Sequence, residues 1–260
     1  MIGNPLLTPS FSNNIKFLYI NSDFMARKTT WIDVGYTIIS NDISTADKVD
    51  SVGRKTFQFI NNDYSSLLYG NVNYSYPLAK TVTMSISGAW NLRNTTNIVN
   101  NEENHIKSGN YTLGLFLSEN VPNKMNIMLT ANTSYNSNRL SIQKSVPADY
   151  WAIDLKLQGM VFLPLKSEFH STCSAILRQN TDDFIGNTNA ILWDAWISKR
   201  LLKNESLVLK AAAVDILNQG KTIFRSLTTN YISEAKYDNV RRYFQLSITW
   251  NFSKFPAAQP

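Results

Sequence analysis

The stretch Val82-Thr83-Met84-Ser85-Ile86-Ser87-Gly88-Ala89-Trp90-Asn91-Leu92 decides the fold class. Its even positions carry Val, Met, Ile, Gly, Trp and Leu, and its odd positions carry Thr, Ser, Ser, Ala and Asn. A helix would scatter the apolar members around its axis, whereas a strand places them on one face. The same period of two returns near the end, where Phe244, Leu246, Ile248, Trp250 and Phe252 alternate with Gln245, Ser247, Thr249 and Asn251. Further copies run through Tyr111, Leu113, Leu115 and Leu117, through Met125, Ile127 and Leu129, and through Ile153, Leu155 and Leu157. A weaker one carries Leu207, Leu209, Ala211 and Ala213.

Reading outward from these segments predicts an all-β chain of about eleven long antiparallel strands. They fall near 12–22, 29–42, 64–76, 80–92, 107–118, 124–136, 150–162, 166–179, 189–200, 205–217 and 240–252. Strands of roughly ten to fourteen residues are about twice the length usual in soluble sheets. They match the span needed to cross a bilayer at a tilt. The connections alternate as well. Short turns are expected at Pro77-Leu78-Ala79, Pro164-Leu165 and Lys203-Asn204, and longer polar loops at 93–106, 136–149, 180–189 and 218–239. Short turns at one end and long loops at the other characterise outer-membrane barrels. The segment Thr56–Ile60 reads as an extension of a hairpin or as a twelfth spanning strand.

Composition supports a transmembrane β-barrel whose one face meets lipid and whose other face, rich in Asn, Ser and Thr, meets a wet lumen. Only 17% of residues are charged and 12% are aromatic, against roughly 25% charged in average soluble domains. Trp31, Trp90, Trp151, Trp193, Trp196 and Trp250 are spread over many strands, as an interfacial girdle requires. The net charge of +6 comes from Lys and Arg scattered singly, which argues against a nucleic-acid partner. Cys173 is the only cysteine, so an internal disulfide and a cysteine-based zinc site are excluded. It shares parity with Phe169, Ala175 and Leu177 and reads as an apolar filler. His105 and His170 have no ligand partner at hairpin or helical spacing, and no metal or cofactor is expected. No run of 18 apolar residues marks a transmembrane helix. Met1-Ile2-Gly3-Asn4-Pro5 does not open a secretion signal.

Several runs resemble the barrels of TonB-dependent receptors and the outer-membrane β-barrel family related to them. These are Gly3-Asn4-Pro5-Leu6-Leu7-Thr8-Pro9-Ser10-Phe11-Ser12, Asn71-Val72-Asn73-Tyr74-Ser75-Tyr76-Pro77-Leu78, Val214-Asp215-Ile216-Leu217-Asn218 and Arg242-Tyr243-Phe244-Gln245-Leu246-Ser247-Ile248-Thr249-Trp250-Asn251-Phe252. The resemblance implies a 22-stranded barrel closed by an N-terminal plug, with uptake energised by the TonB system. Eleven strands would be half of it. No plug and no TonB-contacting box is recognisable, so residues 1–260 are expected to be a C-terminal barrel segment whose first half and plug lie elsewhere. The expected setting is the outer membrane of a Gram-negative bacterium, with its lipid and the barrel-assembly machinery as partners.

The expected function is transport of a bulky nutrient. Arg225, Tyr231 and Tyr237, on the loop 218–239, are candidate ligand contacts. Phe244, Leu246, Ile248, Trp250 and Phe252 form a lipid-facing strand which the resemblance implies is read during assembly. Two other readings compete. One is a complete porin of twelve strands that counts Thr56–Ile60 as spanning. The other is a barrel enzyme using His105 with Asp182-Asp183, for which no residue completes a catalytic set.

Overall fold

The computed structural model describes residues 3–142, 149–180, 188–227, 232–238 and 240–252. Its strands are β1 (Phe11–Asp23), β2 (Lys28–Val49), β3 (Lys55–Pro77), β4 (Val82–Val99), β5 (Glu102–Val121), β6 (Met125–Leu140) and β7 (Tyr150–Leu163). They continue with β8 (Ser167–Arg178), β9 (Ala190–Leu201), β10 (Leu207–Val214), β11 (Lys221–Leu227), β12 (Ile232–Asp238) and β13 (Tyr243–Trp250). Eleven of them form one sheet in the order β1 to β10 followed by β13, while β11 and β12 pair only as a separate hairpin. Each strand runs antiparallel to its neighbours along the sheet.

The register turns the period-two pattern of single strands into one continuous apolar face. Ile15 stands opposite Tyr36, Tyr36 opposite Leu68, and Leu68 opposite Leu92. Across the middle, Met84 meets Leu117, Leu117 meets Leu129, Leu129 meets Leu157, Leu157 meets Cys173, and Cys173 meets Trp193. At the far side Ile197 meets Ala211, which meets Leu246. Cys173 is thus a small member of the apolar face. Shifting any strand by one residue would turn its whole apolar set to the polar side, so the pattern on eleven strands fixes the register of all of them.

The apolar face is uncovered. Leu113 is 71% exposed and Ile86 49%, and the only hydrophobic residues buried among those described are Leu140, Ala152 and Ala190. The accessible surface is 17722 Å², where a folded soluble monomer of this mass would expose about 11,500 Å². A sheet with so much bare hydrocarbon surface and no internal core needs an apolar medium. Lipid supplies it.

Four tryptophans, Trp90, Trp151, Trp193 and Trp250, lie on the apolar face. The other two depart from the expected girdle. Trp31 stands opposite Ile20 and Asn73 on the polar face, and Trp196 stacks on the His170 ring there at 3.6 Å between centroids. A clear aromatic row nevertheless crosses the apolar face near the long-loop end, where Trp90 faces Tyr111, Tyr111 faces Tyr135, and Tyr135 faces Trp151. Gly70 lies beside this row. Its partner Trp90 lays its ring over the glycine, where an added Cβ would come within 2.0 Å of the indole.

The expected loops at the other end need correction. Residues 93–106 are not a loop: β4 and β5 continue in register to Val99–Glu102, closed by Asn100 and Asn101 at φ 49° and 71°. Positive φ at both central residues is the type I′ hairpin turn that asparagine tolerates. Thr56–Ile60 is the upper part of β3, paired with Ser44–Lys48 of β2, so it extends a hairpin and is not a twelfth spanning strand. The expected strand 205–217 stops at Val214, because Asp215 turns the chain and accepts hydrogen bonds from the N–H groups of Gln219 and Gly220. The expected loop 218–239 carries the β11–β12 hairpin. Alternation of ends survives these changes. Residues 24–27, 78–81, 122–124, 164–166 and 202–206 make the short turns between strands.

Candidate functional site

The long hairpins build the most elaborate polar structure in the chain. β3 pairs with β4 only up to Ser66–Asn94. Above that level β2 takes over beside β4, with Ala46 opposite Ile98 and Asp47 opposite Val99 in a parallel pairing. The β2–β3 hairpin therefore crosses the β4–β5 hairpin instead of continuing the sheet. Its tip is tied by the Asp50 carboxylate, which accepts from the N–H groups of Val52 and Arg54 and pairs with the Arg54 guanidinium at 2.7 Å. Those bonds hold the Asp50 carboxyl below the ordinary carboxylate value.

Buried polar groups lock the crossing. Ser44 Oγ and the Asn62 amide both donate to the Thr96 carbonyl. Asn104, 1% exposed, donates to Asn97 Oδ1 at 3.2 Å. Lys55 reaches buried Asp47 at 3.0 Å. The Asn97–Asn104 and Asp47–Lys55 pairs each stiffen one hairpin, and the two bonds onto the Thr96 carbonyl tie the hairpins to each other. Leaving such groups unpaired would cost about 1–3 kcal/mol each.

Two clefts flank it. One, of about 430 Å³, is lined by Arg93, Thr95, Asn97, Ser108 and Asn138 together with Asp42–Thr45 of β2. Those β4, β5 and β6 residues have polar-face parity, so this cleft opens towards the lumen side. The other, of about 520 Å³, is lined by Tyr36, Asn62, Tyr64, Ser66, Asn94, Thr96, Glu103, His105 and Lys107. These share parity with Trp90, Tyr111 and Leu113 and lie on the outward face, while Asn61, Asp63, Thr95 and Ile106, which also line the cleft, have the opposite parity.

The outward cleft brings together a hydroxyl, an imidazole and a carboxylate that sequence reading did not connect. Thr96 Oγ1 lies 3.0 Å from His105 Nδ1, and Glu103 lies 3.8 Å from His105 Nε2. The second distance is too long for a hydrogen bond, and both His105 and Glu103 are largely exposed. The hairpin pairing of Thr96 with His105 explains the proximity, and alternation along β5 puts Glu103 on the same side. Asp182-Asp183 lie outside the described residues, so their expected meeting with His105 stays an expectation.

On the polar face at the short-turn end a second cluster joins charges and rings. Glu168 meets Arg200 at 2.5 Å, Arg200 meets Glu205 at 3.5 Å, and Lys166 meets Glu205 at 2.8 Å. Lys210 Nζ stands 4.2 Å over the Trp196 ring that stacks on His170. A pocket of about 260 Å³ adjoins it, lined by Asp194, Trp196, Lys210 and Gln245. At the opposite end Arg139 clasps Asp149 at 2.5 Å, and the Tyr135 hydroxyl donates to the same carboxylate at 2.8 Å. Partial burial pushes the Asp149 carboxyl up, and the bonds from Arg139 and Tyr135 outweigh it, leaving it below the ordinary value. Among the described residues no group of His, Cys, Asp and Glu is arranged to hold a metal ion.

The expected ligand contacts fare differently. Tyr237 is on β12, opposite Thr222, and 57% exposed. Arg225 is on β11, in register with Glu234. Tyr231 lies outside the described residues. Of the expected assembly strand, Phe244, Leu246, Ile248 and Trp250 share one face of β13, opposite Ala213, Ala211, Leu209 and Leu207. Phe252 follows the strand and meets Trp250 edge-on, with 6.0 Å between ring centroids.

Comparison with curated proteins and with solved structures gives no match. Residues 1–163 match the outer membrane protein beta-barrel family, which accords with the continuous apolar face, the aromatic row and the alternating turns. The match covers well over half of the chain and sets it in the bacterial outer membrane, in contact with membrane lipid: the chain belongs to the outer membrane protein beta-barrel family.

Proposed function

We propose that the chain is a wall segment of a TonB-dependent receptor that takes up a bulky nutrient across the outer membrane of a Gram-negative bacterium. The observation that carries this reading is the open eleven-stranded sheet with one apolar and one polar face. Its edges, β1 and β13, each have one neighbour, and both run from the long-loop end to the short-turn end. Joined to each other they could pair only in parallel, whereas bacterial single-chain barrels are antiparallel with even strand numbers. A second set of strands between them completes a barrel of about 22, the size that leaves a lumen wide enough to need a plug.

Next to the β1 edge, Leu18 and Ile20 lie on the otherwise polar face and are 52% and 60% exposed. In a water-filled lumen they would be misplaced, and a plug packed against them gives them a partner. The lumen-side cleft at Arg93, Asn97 and Asn138 is then part of the path at which substrate is held, and Arg225 and Tyr237, on the β11–β12 hairpin, are candidate contacts for the same substrate. In this reading the chain acts as a transporter wall and not as an enzyme, and the cluster of Thr96, His105 and Glu103 lies on the outward face, away from the substrate path. TonB acts through the plug, and the barrel-assembly machinery inserts the strands.

The test is electrical. Protein taken from its native outer membrane and placed in a planar bilayer should conduct almost nothing until urea extracts the plug, and then open a large pore. Steady conductance without urea would favour a porin and remove the receptor reading.

A further inference from the structure

The cleft of about 520 Å³ between the crossed hairpins opens on the wrong side of the wall to handle a substrate passing through the lumen. Its residues on β4 and β5, Asn94, Thr96, His105 and Lys107, continue the outward parity of Trp90 and Tyr111. We infer that it seats the oligosaccharide head of a glycolipid in the outer leaflet. The inference needs only the outer-membrane setting and stands apart from the receptor reading.

Height selects the kind of lipid. The row of Trp90 and Tyr111 belongs at the boundary between hydrocarbon and head groups. Asn94 lies four positions and Thr96 six positions further along β4. At about 3.4 Å per residue and a tilt of about 40°, the Asn94–Thr96 part of the cleft stands roughly 10–16 Å above that row, with Tyr36, in register with Leu68 and Leu92, at its lower end. A phospholipid head-group layer is about 5–8 Å deep, so a simple phosphate head ends below the cleft. A head of several linked sugars reaches it.

The lining selects sugar over free phosphate. One lysine, Lys107, shares the lining with two carboxylates, Asp63 and Glu103, so the cleft lacks the cationic excess that a bare anion would need. Tyr64 is 62% exposed and Tyr36 39%, which leaves two phenol rings free to lie against the apolar face of a pyranose. Asn94, Thr96 and His105 offer the mixed donors and acceptors that neighbouring hydroxyls take up. Aromatic faces with a few convergent polar groups make up such binding sites in general.

The test reads lipid retained by the full-length protein. Protein from outer membranes is exchanged into phosphatidylethanolamine vesicles containing a glycolipid with a complete oligosaccharide head, or the same lipid trimmed to its phosphorylated disaccharide base. Lipid held through detergent washing is then counted by mass spectrometry. The complete head should be retained at least about fivefold better, a difference of the size one aromatic contact can supply. Tyr64→Ala and Lys107→Ala, on exposed side chains outside the buried network, should abolish that preference, while Asn138→Ala in the lumen-side cleft should leave it intact. Equal retention of both lipids, retention that follows phosphate alone, or a preference unchanged in Tyr64→Ala would overturn the inference. Conductance of the same variants is expected to stay unaltered, so failure here does not bear on the plugged-receptor reading.

Discussion

At the residue scale, the sharpest consequence of the register is that adjacent positions on one strand live in different solvents. Leu115 lies between Ile86 and Ala131 on the apolar face, whereas Ser85 points to the polar face between Ser75 and Phe116. Leu115→Arg should destabilise the protein in lipid vesicles by about 2–4 kcal/mol, the cost of a cation near the bilayer midplane. Ser85→Arg should cost much less, since lumen water solvates the charge. Urea titration of both variants in vesicles checks the pair, and equal losses would refute the assignment of faces. Gly70 gives a second, steric test. A Cβ there would collide with the Trp90 ring, so Gly70→Ala should lose about 1–3 kcal/mol through overpacking. In the Trp90→Ala background the same change should be nearly neutral, and a double-mutant cycle measures the difference.

At the element scale, the chain is legible where side chains alternate and misleading where they do not need to. The strands keep their expected parity and their short-turn ends stand within about three residues of the expected limits, whereas β2, β3 and β4 run well past those limits at the long-loop end. Lipid on one side and water on the other write the pleat into the sequence only inside the membrane. Above the membrane both faces of a hairpin meet water, and that constraint lapses. Residues 93–106 therefore looked like loop, although Thr95, Thr96, Ile98 and Val99 favour strands and Asn100-Asn101 suits a two-residue turn. The crossing of the two hairpins was beyond reach for another reason: Ala46–Ile98 and Asp47–Val99 are pairings between distant segments, and nothing local marks them. The outward cleft depends on that crossing, so no local pattern marks its residues as a site. β13 carries the remaining element-scale prediction. Its backbone offers a free edge, and insertion by strand addition would use that edge while alternate side chains supply specificity. Phe252→Ala and Trp250→Ala should reduce the fraction of heat-modifiable, protease-resistant protein in outer membranes far more than Leu113→Ala or Leu115→Ala, which weaken lipid contact alone. If all four behave alike, β13 is only another piece of wall.

At the scale of the whole molecule the question is what completes the sheet. In hydrocarbon each unpaired backbone N–H or C=O costs several kcal/mol, and β1 spans 13 residues and β13 spans 8. With about half of those residues turning their polar groups to the open side, the bare edges would cost tens of kcal/mol, far more than a typical folded state holds in reserve. Something must pair with them. The two edges run in the same direction, so they do not serve each other in an antiparallel barrel, and on the proposed receptor reading separate partner strands pair with β1 and with β13. Cysteines scanned at Ile15, Phe17 and Tyr19 against others at Leu246 and Ile248, with Cys173→Ser as background, test this in outer membranes. Paired neighbours would bring Cα atoms to about 4.5–5.5 Å, within disulfide reach. No combination should cross-link β1 to β13, while the same β1 cysteines should cross-link to β2, through Tyr36→Cys opposite Ile15 and Ile32→Cys opposite Tyr19. A disulfide between β1 and β13 in any register would mean that these strands close on one another, and the larger barrel would have to be abandoned.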